Sequence, residues 1–348
     1  MAAYISFQPS DFFNTKIWTG NGVSGRAMTG VGFEPNFLWI KGRSDGTDHE
    51  LMDSARGVSK YINTNVANAE ATNTEGLISF DADGYTLGNA NYWNWNTKTF
   101  VGWSWKGGTS AVPSGGTITP SACNFNTTTG FGAYKYTGTG SAATIAHGLT
   151  LAPEIMLVKS LDATHTWGTY SKAMGNGYQM VLNNNSSRVG PLIQYWNNTD
   201  PTTTVFSIGT DSYQNQSGTD YICYCFSSVR GYSKMGAYTG NGNANGPFVY
   251  TGFRPAFVMS KAYSTTGQWM MVDDKRPLYY NGSGAVVYAD ASVVETQNTT
   301  WTTVDFLSNG FKPRYSDGLN NGAGTSYIYM AFAEFPLVSS NSKAGVAR

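Results

Sequence analysis

Short runs rich in β-branched and aromatic residues alternate along this chain with Gly, Asn, Asp, Ser and Pro, and a turn signal falls every 8 to 12 residues. No segment holds a convincing 3.6-residue apolar period, so the pattern predicts strands. The strongest runs are Phe100-Val101-Gly102-Trp103-Ser104-Trp105, Tyr221-Ile222-Cys223-Tyr224-Cys225-Phe226 and Tyr327-Ile328-Tyr329-Met330-Ala331-Phe332. Each is almost continuously apolar, as expected of a strand covered on both faces. A second kind of run is led by proline and ends in lysine: Pro35 to Lys41, Pro153 to Lys159 and Pro255 to Lys261, with a spacing of six in all three. Proline fits a first strand position, where its missing N–H costs no ladder bond. Eight residues past each lysine stand His49, Trp167 and Trp269, which are expected to open the next strand.

These runs recur in one order, which marks an internal repeat. Trp18-Thr19-Gly20-Asn21-Gly22 returns 118 residues later as Tyr136-Thr137-Gly138-Thr139-Gly140, and 102 residues after that as Tyr238-Thr239-Gly240-Asn241-Gly242. Asp81-Ala82-Asp83-Gly84 and Leu307-Ser308-Asn309-Gly310 read as hairpins with type I′ turns, while Asp200-Pro201 takes that place in the second copy. The expectation is an all-β chain of three tandem antiparallel β-sandwich repeat domains, jelly-roll-like. They are placed at residues 1–108, 121–235 and 236–338, with a Gly/Ser/Thr/Pro linker at 109–120 and a polar tail at 339–348. A propeller fits less well, because blades run about 40 to 50 residues.

Composition agrees with strands: the 348 residues include 41 Gly, 22 Tyr, 18 Phe and 10 Trp, and only 13% are charged. Lys plus Arg and Asp plus Glu are both 22, so no electrostatic footprint for nucleic acid or an anionic membrane exists. No apolar run reaches membrane-spanning length, and Met1 to Phe13 lacks a secretory n-region, so the expected site of synthesis is a cytoplasm. Matches to N-x-S/T, among them Asn126 and Asn281, follow from the Asn- and Thr-rich composition. Three cysteines cannot build a disulfide framework, and Cys223 and Cys225 are read as small buried apolar residues.

No catalytic fingerprint is present, and His49, His147 and His165 occupy unmatched repeat positions, so the chain reads as non-enzymatic, with no cofactor and no metal. Asp81-Ala82-Asp83-Gly84 resembles part of a calcium loop, but its twelfth position is Tyr92 where a carboxylate is needed, so a plain turn is preferred. Asp53 with Arg56 and Asp273 with Arg276 are matched pairs, replaced by Ser171 and Met174 in the second copy; the default reading is a local, weak ion pair. The candidate contact site is Tyr92-Trp93-Asn94-Trp95, where flat rings beside amides suit sugar recognition or a protein interface. Its counterparts are placed near Tyr213-Gln214-Asn215 and Tyr315-Ser316-Asp317.

Several blocks resemble the repeat domains of tail-fibre and other virion proteins of marine and cyanobacterial phages: residues 238–242, Thr251 to Val258, Asp305 to Lys312 and Tyr327 to Glu334. The resemblance covers nearly the whole chain and is weakest in residues 1–17 and in the middle of the second copy. It implies a virion structural protein, assembled in the host cytoplasm, tail-associated and engaged in host adhesion. It also implies other virion proteins as partners, a homo-oligomer such as a trimer, and a host-surface glycan or protein as receptor. The chain has no heptad stalk or collagen-like stretch, which argues against a slender shaft. A head decoration protein stabilising the shell is the alternative. A polysaccharide-depolymerising module would need paired carboxylates at a groove.

Overall fold

The protein is described by a computed structural model that covers residues 6–276, 282–297 and 303–336. The predicted tail at 339–348 lies outside these residues. A 3-10 turn at Pro9–Asp11 leads into β1 (Phe13–Thr19), β2 (Arg26–Met28), β3 (Phe37–Gly42), β4 (His49–Asp53), β5 (Lys60–Asn63), β6 (Ala71–Thr72), β7 (Leu77–Asp81), β8 (Gly84–Leu87), the helical turn α1 (Asn91–Asn94) and β9 (Thr99–Trp105). The second segment holds β10 (Ala122–Asn126), β11 (Phe131–Thr137), β12 (Ala143–Ala146), β13 (Ile155–Ser160), β14 (Gly168–Ser171), β15 (Met180–Val181), α2 (Ile193–Trp196), β16 (Val205–Ile208), α3 (Ser212–Asn215) and β17 (Asp220–Phe226). The third holds β18 (Ser233–Thr239), β19 (Val249–Tyr250), β20 (Phe253–Ala262), β21 (Met270–Asp273), β22 (Gly282–Ser283), β23 (Ala285–Tyr288), β24 (Thr296–Gln297), β25 (Val304–Leu307), β26 (Gly310–Pro313) and β27 (Ser326–Pro336).

The fold is all-β, and the paired strands are antiparallel. Three six-stranded sheets run β1-β9-β3-β4-β5-β6, β10-β11-β17-β13-β14-β15 and β18-β27-β20-β21-β23-β24. In each, the near-continuous apolar run lies between the segment's first long strand and its proline-led strand. The register matches: Trp105, Phe226 and Phe332 stand opposite Phe37, Ile155 and Phe257. The smaller sheets among the described residues are β2-β8-β7, β12-β16 and β19-β26-β25-β22.

The alternation of β3 explains the double burial. Leu38 and Ile40 face the smaller sheet and pack with Met28, Leu77, Tyr85 and Leu87. Phe37 and Trp39 face the other way, into a core shared by all three segments. There Trp105, Phe226 and Phe332 form a triangle, with ring centroids 6.2, 6.1 and 5.4 Å apart and each pair edge-on. Edge-to-face contacts of this kind add to the area the rings bury. Phe7, Phe12 and Tyr232 pack together, and Tyr232 lies 5.8 Å from Phe332, so they cap the triangle on one side.

Three expectations change in detail. The hairpin at Asp81 forms, with Asp81 opposite Gly84, but neither Ala82 nor Asp83 has the positive φ of a type I′ turn. Gly84 carries φ +144° instead, and the Asp83 carboxylate holds the turn by accepting the amides of Gly30 and Gly32 at 2.9 and 2.7 Å. The boundary placed at 235/236 falls inside β18, since the chain re-enters a sheet at Ser233. Residues 109–120 are pinned along the second segment by bridges from Thr109 to Phe125 and from Ile118 to Ile145, and Ile118 joins its core.

Candidate functional site

The aromatic loop forms α1, and the structure divides its four residues into two roles. Trp93 is 1% exposed and sits in the first segment's core, edge-on to Tyr61 at 5.3 Å, while its carbonyl accepts the indole N–H of Trp18 at 3.1 Å. Asn94 is fully buried. Its amide donates to Asn21 Oδ1, Val23 O and Gly88 O at 2.9 to 3.0 Å, and its Oδ1 accepts Asn21 N at 3.0 Å. Only Tyr92 and Trp95 reach solvent, 43% and 37% exposed, with the Lys98 ammonium 5.1 Å above the Trp95 ring. Trp93 and Asn94 are therefore scaffold, because a ring and an amide with these partners have no free face.

The other segments show why Asn94 is placed there. Asn215 accepts Thr139 N at 2.7 Å and donates to Ser141 O and Gly209 O, both at 2.6 Å. Asn321 accepts Asn241 N at 2.9 Å and donates to Asn243 O at 2.6 Å. Each asparagine clasps the repeated Gly-x-Gly turn, so the third counterpart of the loop is Leu319-Asn320-Asn321, not Tyr315 to Asp317. In that turn the first glycine has no room for a side chain: a Cβ on Gly20, Gly138 or Gly240 would collide with the carbonyl oxygen of Trp95, Gln216 or Gly322. The second, Gly22, Gly140 or Gly242, sits at φ +66°, +74° or +66°. A signal for the clasp was present, since Asn94, Asn215 and Asn321 each stand eleven residues before Trp105, Phe226 and Phe332.

The larger correction concerns the Asp/Arg pairs, which are buried at the seams between segments. Arg276 Nε meets Asp273 Oδ2 at 2.7 Å with both side chains 0% exposed. Trp103 of the first segment donates its indole N–H to the same oxygen at 3.0 Å, and Arg276 Nη1 reaches Glu295 at 3.2 Å. Glu295 is held in turn by Arg43 of the first segment through two bonds of 2.9 Å. Burial alone would raise the Glu295 pKa, but the Arg43 and Arg276 guanidinium groups outweigh it, and the carboxyl lies below its ordinary value. The first and second segments meet in the same way: Tyr224 OH donates to Asp53 Oδ2 at 2.6 Å, Arg56 Nε lies 2.5 Å from that oxygen, and Arg56 Nη1 lies 3.2 Å from Glu70. These arrangements are intersegment networks, so the reading of a weak local pair is replaced.

The three lysines of the proline-led strands are buried as well. Lys41 Nζ donates to Gly42 O at 2.7 Å and across the seam to Ser292 O at 3.3 Å. Lys261 Nζ donates to Ala262 O at 2.7 Å and across its seam to Asn185 O and Ser186 O at 3.2 and 3.0 Å. Lys159 Nζ bonds Ser160 O at 2.8 Å. Burial pushes all three down to about 8. The histidines stay apart. His49 accepts the Trp39 indole N–H on Nδ1 at 2.9 Å, and burial keeps it neutral with its proton on Nε2. His147 accepts Leu149 N on Nδ1 at 3.0 Å, a turn-capping arrangement, and His165 contacts Gln216 at 2.9 Å.

Asp81 accepts the hydroxyls of Ser79 and Thr86 at 2.7 Å each, so the two carboxylates of the calcium-like loop are used separately. Among the described residues no group of three or more His, Cys, Asp or Glu is placed to hold a metal ion. Cys123, Cys223 and Cys225 are free and buried, with the Sγ atoms of the last two 3.7 Å apart. No helix among the described residues is long and apolar enough to cross a membrane.

No curated protein and no solved structure matches this chain. A family model described as Domain of unknown function (DUF7483) matches residues 8–336, from the 3-10 turn that caps the ring triangle to the end of β27, and the chain belongs to that family.

Proposed function

We propose that the chain is a non-enzymatic structural protein of a phage particle, tail-associated and contributing to host-surface adhesion. In this reading the three segments are tandem copies of one sandwich domain, jelly-roll-like, that close into a ring around the shared core. The observation that carries it is the triangle of Trp105, Phe226 and Phe332. Equivalent residues of three covalently joined segments meet as the subunits of a trimer would, and head-to-tail interfaces that close make a ring. The buried charged networks of Asp53 with Arg56 and of Asp273 with Arg276 and Glu295, and the aromatic rings of the shared core, join the segments to one another. The exposed loops are left to vary, which suits a particle component that presents several weak contacts at once. The resemblance to phage repeat domains supports the same assignment, with other virion proteins as partners and a host glycan or protein as receptor.

The second reading is a head decoration protein, favoured by the same threefold arrangement, which matches a threefold seat on a shell. Antibody labelling of intact particles, followed by reconstruction, tests both. Density for this chain on the tail is the expected result; density on the shell selects decoration, and absence from purified particles overturns the assignment.

A further inference from the structure

The three seams differ at the residue that follows Asp53, Ser171 or Asp273. Where the first segment meets the second, that residue is Ser54, whose Oγ accepts the Asn36 amide at 3.2 Å. Where the second meets the third, it is Lys172, with Nζ 3.9 Å from the Glu154 carboxylate, and β18 brings Met235 to the same cavity. Where the third meets the first, it is Asp274, and β1 brings Thr15. One seam is thus neutral and one carries its own cation, whereas the last sets a carboxylate beside a hydroxyl.

Asp274 and Thr15 line one cavity of about 50 Å³ together with Asn14, Lys275 and Glu334. The Asp274 side chain is 7% exposed and Thr15 is 6% exposed. Among the described residues, neither Asp274 Oδ1 nor Thr15 Oγ1 has a hydrogen-bond partner. Thr15 lies two residues past Phe13 and so leaves the same face of β1, toward the third segment, where the Phe13 ring stacks on Phe332 at 5.0 Å. The neighbouring oxygens are engaged: Lys275 Nζ lies 3.0 Å from Asp274 Oδ2, and Arg254 Nε lies 2.5 Å from Glu334 Oε2. These cations do not offset the site in full. Burial, reinforced by Glu334 and Asp273, pushes Asp274 up to about 6 against the opposing pull of Lys275.

We propose that this cavity binds a calcium ion, held by Asp274 Oδ1, Thr15 Oγ1 and the second carboxylate oxygen of Glu334, which ties the third segment to the first. Calcium takes about six to eight oxygens in a flexible geometry, waters among them, so irregularly placed protein oxygens can serve it. An anion is unsuited, because a carboxylate oxygen only accepts hydrogen bonds. The cavity has room for one ion with a water or two and none for an organic ligand.

The ion site does not depend on where the protein sits in a particle, and its test uses the whole purified chain. Calorimetric titration with calcium chloride should show one site with a Kd of about 0.1 to 1 mM. Calcium at about 10 mM should raise the melting temperature by about 2 to 4 °C over sodium chloride of equal ionic strength. Asp274→Asn removes the charge and keeps the shape, and should weaken calcium binding about tenfold or more and remove most of the shift. Thr15→Val should weaken binding several-fold, whereas Asp83→Asn, in the calcium-like loop, should leave it as it is. No heat and no shift with calcium, which leaves the cavity to water, a shift matched by sodium, or an unchanged response in Asp274→Asn would each overturn the proposal. If Asp274→Asn does not fold, the Thr15→Val titration decides, and binding equal to the parent's overturns it.

Discussion

Two kinds of seam join the three segments around their shared core. Where the third segment receives Trp103, and where the first receives Tyr224, the acceptor is a buried aspartate paired with an arginine three residues on. Where the second segment stands in that position, the residues are Ser171 and Met174, and the counterpart of Trp103 and Tyr224 is Met330. The register is common to all three, since Asp53, Ser171 and Asp273 lie opposite Phe37, Ile155 and Phe257. A donor, a carboxylate and a guanidinium therefore come as a set, and so do two methionines and a serine. A buried charge is tolerable only with its partners present, whereas apolar contact needs none.

The largest expected effect comes from breaking one set. Asp273→Ala takes from the buried Arg276 the carboxylate at its Nε and leaves it with Glu295 and the Met271 carbonyl, and urea unfolding should show a loss of about 3 to 5 kcal/mol. A loss below about 1 kcal/mol would mean that the charged seam is no more demanding than the apolar one. Replacing the whole set is expected to cost less than its parts: Trp103→Met, Asp273→Ser and Arg276→Met together should destabilise by less than the sum of the single changes, as a multiple-mutant cycle measures. Strict additivity would show that the two seams are not alternative solutions.

A comparable contrast lies within α1. Trp93→Ala removes a fully buried ring and should cost about 3 to 5 kcal/mol, whereas Trp95→Ala, at a half-exposed site, should stay within about 1 kcal/mol. Equal effects on the melting temperature would contradict the division of that loop into scaffold and surface.

The smallest effect is shared by all three segments. Lys41, Lys159 and Lys261 have folded-state values near 8, below the ordinary 10.5, so between those values the unfolded chain binds more protons than the folded one. Stability should rise as pH increases from about 8 toward 10. Above that it should fall, because Tyr85, Tyr134, Tyr136 and Tyr224 are raised by burial and their unfolded counterparts ionise first. Unfolding midpoints across this range, in the parent and in Lys41→Met, check the sign; a flat profile from pH 8 to 10 would remove the lysine contribution.

Much of the strand arrangement is legible in the sequence. The apolar runs at Phe100, Tyr221 and Tyr327 form interior strands of the large sheets, and the proline-led runs form their neighbours. The candidate loop was legible only in part. An exposed ring and a buried one look alike in Tyr92-Trp93-Asn94-Trp95, and what separates them is the helical turn that aims Trp93 and Asn94 inward.

The sequence by itself determined what depends on near neighbours along the chain: strand character from alternation, turns from glycine, and the recurrence of both. It could not say that Asp53 and Asp273 are buried, because their donors Tyr224 and Trp103 lie 171 and 170 residues away. Nor could it show that β10 pairs with the outer edge of β11, while β1 and β18 have no such partner strand among the described residues, since pairing is decided by what the chain folds against. Tertiary structure decided those points, because burial and the pairing of charge are properties of surfaces brought together in space.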